Sequence, residues 1–151
     1  MSWKIPRFLS ADLVASTRIN LGVSWVERGD FDKAISDFTA VVDMTDAPAD
    51  LVAHARIDRG QLWGRKGDAD KAITEYTAVI DMTGAPEHLI AKARFNRSFR
   101  WGQKGDTDKA MADLTAVIDM TGAPVDLVAS ARFNRGVHWS RQGDVDRAIR
   151  E

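Results

Sequence analysis

The chain repeats itself every 38 residues. Gly29, Gly67, Gly105 and Gly143 keep that step, and so do Trp25, Trp63, Trp101 and Trp139. Pro48, Pro86 and Pro124 follow it from the second copy onward. The stretch from Gly105 to Pro124 recurs, lightly edited, from Gly67 to Pro86 and from Gly29 to Pro48, and it begins again at Gly143. A period of this size marks a stacked array, in which each copy buries its apolar face only against its neighbours. The expected fold is all-α, a solenoid of two-helix units. The repeats run about 10–47, 48–85, 86–123 and 124–151, the last one cut short. Residues 1–9 stand outside the period, and Trp3, Ile5, Phe8 and Leu9 make them an expected cap over the first helix.

The pattern within one period predicts the unit. Proline at its start suits the first turn of a helix, where its missing N–H has no intrahelical partner, and Ser10 can cap the first copy instead. The helix from Glu87 carries one stripe near Leu89, Ala93 and Trp101, and a second through Ala91, Phe95, Phe99 and Gly102. Two stripes mean neighbours on two sides. Gly105 then stops the helix, Asp106 caps the next, and Asp108 sits in its first turn. The second helix shows one buried face, through Ala110, Met111, Leu114, Val117 and Ile118. Gly84 and Gly122 are the expected stops at its end.

These residues resemble the tetratricopeptide repeat family. The matching positions are Ala93, Trp101, Gly105, Asp106, Ala110, Leu114 and Val117 in the third copy, and Ala131, Gly136, Trp139, Gly143, Asp144, Ala148 and Ile149 in the fourth. The resemblance covers about residues 10–151 and implies a right-handed superhelix with first helices along a concave groove and second helices outside. The sequence departs from the family in its longer period. It also places Arg18, Arg56, Arg94 and Arg132 where the family often has a large aromatic, and Arg59, Arg97 and Arg135 where it often has leucine. Only Leu21 keeps that leucine. One reading of the arginines is a ladder for acidic or phosphate groups. The other is pairing with the carboxylates of the preceding second helix, Arg56 with Asp37, Arg94 with Glu75 and Arg132 with Asp113, and the odd Leu21 in the first copy favours it.

Positions that vary between copies are free for something other than the stack. The resemblance places several of them in the groove: Ile57, Gln61 and Arg65 in the second copy, Lys92, Phe95, Asn96, Phe99 and Gln103 in the third, and Phe133, Asn134, Val137 and Arg141 in the fourth. The surface they imply is apolar at its centre and suits a peptide or protein segment with apolar anchors, Phe95 and Phe99 foremost. Of the basic clamp for acidic C-terminal peptides that the family includes, only Lys92 and the asparagines give a hint, since Ile57, Phe95 and Phe133 occupy its lysine positions.

Charge and chemistry narrow the alternatives. The chain has 21 basic and 22 acidic residues, so no global field draws nucleic acid or anionic lipid. It has no cysteine, which excludes disulfides and thiolate metal sites. His54, His88 and His138 lie in separate copies, at no metal-ligand spacing. The Gly-Asp-x-Asp turns lack the further oxygen ligands of a calcium loop. No catalytic motif or cofactor-binding loop appears, and the expectation is a non-enzymatic protein without cofactor. No apolar run approaches a membrane span, the first ten residues lack the apolar core of a signal peptide, and the cytoplasm is the default compartment. A second reading is self-assembly into dimers or fibres through the ends of the array, since the fourth first helix is only partly covered. A natural fragment and an engineered array would look alike.

Overall fold

The computed structural model describes residues 9–151. The expected cap therefore lies outside the described residues, apart from Leu9. The described chain is entirely helical, with four long first helices, α1 (Ala11–Glu27), α3 (Ala49–Arg65), α5 (Glu87–Gln103) and α7 (Val125–Arg141). They alternate with shorter second helices, α2 (Phe31–Val42), α4 (Ala69–Ile80), α6 (Thr107–Asp119) and α8 (Val145–Ile149).

Each helix starts and stops for a local reason. The Ser10 side chain accepts the Leu13 N–H. Pro48, Pro86 and Pro124 sit at the cap position itself, one residue outside the helices they precede. Gly29, Gly67, Gly105 and Gly143 all take the left-handed conformation, with φ between 79° and 85°, which a side chain would strain. Asp30, Asp68, Asp106 and Asp144 then cap the second helices by accepting the N–H three residues on. The same aspartates pair with the charged ends of Lys33, Lys71, Lys109 and Arg147. Those cations lie 4.2 to 4.8 Å from the centroids of Trp25, Trp63, Trp101 and Trp139. The periodic tryptophan thus holds the turn together through its face. At the other turn only Gly84 is left-handed (φ 81°). Gly122 is not; a Cβ there would crowd the Glu87 side chain, coming 2.8 Å from its Cβ.

Stacking follows from the two stripes. Ala55 and Leu62 of α3 look back, into a cluster with Ala15, Ala34, Phe38 and Val41. Ala53 and Ile57 of the same helix look forward, to Tyr76, Val79, Leu89 and Ala93. A third cluster joins Leu114, Val117 and Ala131. The first helices touch one another, α1 with α3, α3 with α5 and α5 with α7, whereas α2, α4 and α6 do not. A layer packed closely on one side and splayed on the other must curve, and the first helices line its inner face. The fold is an α-solenoid.

The arginines pair as the second reading expects, but in a different register. Arg18, Arg56 and Arg94 reach Asp37, Glu75 and Asp113 of their own repeat, not of the preceding one. The glycine turn folds the second helix back along the first, so the carboxylate nineteen residues later comes alongside. Arg132 makes no ion pair among the described residues. Contact with the preceding repeat comes from the second arginine. Arg59, Arg97 and Arg135 each donate to a threonine of the repeat before, Thr39, Thr77 and Thr115, at 2.9 to 3.0 Å. They also bind their own carboxylates, and Arg97 grips Asp113 with two bonds of 2.7 and 2.8 Å. Leu21 stands in the one copy with no such threonine before it.

Candidate functional site

The inner face is built from positions one helical turn apart on the first helices. The structure divides the expected groove residues into three groups. Ile57 is not at the surface: it is 1% exposed and belongs to the core. Its position faces the following repeat, so the next first helix covers it. Phe95, in phase with Ile57, is half-buried for the same reason and packs toward Leu114, Val117 and Ala131. Phe133, also in phase, has no following first helix against it among the described residues and is 71% exposed.

One turn further along, Phe99 is different. It lies inside the array, with α7 packed behind it, and is still 59% exposed. The Arg100 guanidinium lies 5.2 Å from its ring centroid. Gln61 and Val137, in phase with Phe99, are half-buried. Lys92 and Asn96 are half-buried on the same helix, and Gln103, Asn134 and Arg141 are exposed. Arg65 is exposed and stacks on Phe31 of the preceding repeat, 4.5 Å from the ring centroid.

Two cavities lie between successive first helices along this face. The first, between α1 and α3, has a volume of about 220 Å³ and brings Asp58, Gln61 and Arg65 together with Val23, Val26 and Phe38. The second, between α5 and α7, has about 610 Å³ and gathers Phe99, Gln103, Phe133, Asn134, Val137 and Arg141. Lys92, Phe95 and Asn96 line neither. The floor of the second cavity comes partly from α6, through Thr107, Met111 and Leu114. Attention to first helices alone misses these residues. The signal that finds them is an in-phase change of size, with Thr107 where the first copy has Phe31 and Leu114 where it has Phe38.

Asp58 is the other residue that sequence reasoning underrated. Three copies carry asparagine at its position, Asn20, Asn96 and Asn134. Burial raises its carboxyl above the usual range, and the charges of Lys92 and His54 only partly offset this. A group with a raised folded-state pKa opposes folding when ionised, and the penalty disappears as pH falls through that pKa. Asp58→Asn should therefore raise the thermal midpoint near pH 7 and leave it unchanged near pH 3. Melting curves at both values check this, and an equal shift at the two would refute it.

Among the described residues, no three metal-ligating side chains converge. No helix there is long and apolar enough to cross a membrane.

Comparison with known proteins agrees with this architecture. No curated protein sequence matches the chain. A solved structure described as the crystal structure of MamA superposes with a TM-score of 0.70 at 18% identity, over 90% of this chain and 72% of that one, and shows the same fold. The family model described as tetratricopeptide repeat matches residues 19–88 and 102–151. With the period, the glycine turns and the stacked helix pairs all in place, this chain belongs to the tetratricopeptide repeat family.

Proposed function

We propose that the protein is an interaction scaffold that holds a peptide or protein segment along its first-helix face. The observation that carries this reading is Phe99. A large apolar ring in the interior of an array normally finds cover against the next helix, as Phe95 does. Phe99 instead stays open to solvent at the wall of a 610 Å³ cavity. Exposed aromatics beside concave, mixed apolar and polar surface are the usual anchors of a binding site. The polar groups around it, Gln103, Asn134 and Arg141, suit the backbone and carboxylates of a bound segment.

Phe99→Ala tests this reading. Peptides selected on the wild-type protein from a displayed library should lose at least tenfold in affinity for the variant, about 1.4 kcal/mol or more. Helicity by circular dichroism should stay unchanged. Affinity retained by the variant would remove the groove from the account. Phe95→Ala is a poorer probe, because Phe95 also contributes to the core.

A second reading, self-association through the fourth repeat, rests on a group of apolar side chains there. Val125, Phe133, Val145 and Ile149 are 57 to 86% exposed. Light scattering over a hundredfold concentration range separates the two: a rising mass supports association, and a constant mass near that of one chain eliminates it.

A further inference from the structure

We infer that the cavity between α5 and α7 is a socket for an aromatic side chain supplied by the bound segment. The inference rests on the groove reading and names its anchor chemistry.

The argument comes from comparing the seams between successive first helices. The two cavities are the same site two repeats apart. Val23 answers to Phe99, Val26 to Gly102, Phe38 to Leu114, Asp58 to Asn134 and Arg65 to Arg141. The chain fills the first seam with its own rings. Phe38 presses on Gly22, where an added Cβ would come within 2.5 Å of the ring. Phe31 lies beneath the Arg65 guanidinium, 4.5 Å from ring centroid to Cζ. The middle seam is filled by an arginine: a Cβ on Gly64 would come within 2.2 Å of Arg100 Cζ.

In the third seam both rings are gone. Thr107 stands for Phe31, Leu114 for Phe38 and Gly102 for Val26. A Cβ on Gly102 would meet nothing within 4 Å. Arg141 keeps the place of Arg65 but has lost the ring that Arg65 stacks on. The cavity is correspondingly larger, about 610 against 220 Å³. No acidic side chain lines it, and Arg141 makes no ion pair among the described residues. A cationic ligand would meet Arg141 unopposed. An aromatic ring would recover both missing interactions, apolar contact with Met111 and Leu114 and a flat face for the guanidinium. An aliphatic side chain would recover only the first.

The test uses N-acetyl-tryptophanamide and N-acetyl-leucinamide as probes, read by amide chemical shifts in the full chain. The tryptophan probe should give saturable shifts at Gln103, Thr107 and Arg141, and the leucine probe several-fold weaker binding. The double variant Gly102→Val with Thr107→Phe restores two of the three first-seam side chains, Val26 and Phe31, in the third seam. It should melt no lower than the wild type and bind the tryptophan probe at least tenfold more weakly. Arg141→Leu, which leaves the seam packing alone, should erase the preference for tryptophan over leucine. Equal response to the two probes, absence of saturable shifts at the socket, or unchanged binding by the filled variant would overturn the inference. Library peptides that depend on Phe99 but carry no aromatic residue would also overturn it, and would leave the groove reading standing.

Discussion

Arg97→Ala should lower the stability of the array by about 3–5 kcal/mol, the cost of breaking a buried ion pair from one side. In a chain of this size that is a fall in thermal midpoint on the order of 10 °C. Asp113 is 4% exposed at its side chain, and Arg97 17%. Removing the guanidinium takes away both short bonds to that carboxylate and the bond to Thr77. Asp113 keeps only Arg94, at 3.4 Å. The loss also falls on the seam between the second and third repeats, so it weakens coupling as well as one hairpin. Arg18→Ala is the matched control. Arg18 is 50% exposed and reaches no preceding repeat, and exposed pairs contribute about 1 kcal/mol or less. Thermal and urea unfolding of the two variants decide the matter. Equal losses would mean that the second arginine is not a staple between repeats. Arg97→Met combined with Asp113→Leu should recover much of the loss, because the cost lies in the orphaned charge.

Gly60→Ala is the second large effect. Alanine ordinarily stabilises a helix relative to glycine by about 1 kcal/mol. At this position the new Cβ would lie 2.8 Å from the ring of Tyr76, which is 1% exposed and cannot swing away. Overpacking of this kind costs about 1–3 kcal/mol, so the sign reverses and the variant should unfold earlier. Gly102→Ala, on α5, meets nothing within 4 Å and should gain up to about 1 kcal/mol. Urea denaturation of both variants checks the contrast. Gly60→Ala more stable than the wild type would show that the ring does not occupy the space assigned to it. The same geometry explains Ser98, which replaces glycine in the one complete copy whose ring has become Leu114.

Much of this was readable from the chain alone. The period sets the number of repeats, and the left-handed glycines with the aspartates that follow set the helix boundaries. Both depend on interactions within a few residues, which any copy makes by itself. The same holds for the two stripes on each first helix, and so for the solenoid. Register across the hairpin was not readable in this way. Arg56 had two carboxylates at plausible distances along the sequence, Asp37 and Glu75, and only the packed hairpin selects Glu75. Ile57 and Phe99 look equally like groove residues on a helical wheel. One is covered and the other open because of where the next first helix crosses, and that is set only when the two repeats pack. The local chemistry of turns and caps was determined by sequence, because hydrogen bonds and backbone strain act at short range. Which apolar side chain is core and which is site was decided by the tertiary structure, because burial belongs to the assembled stack and not to any one residue.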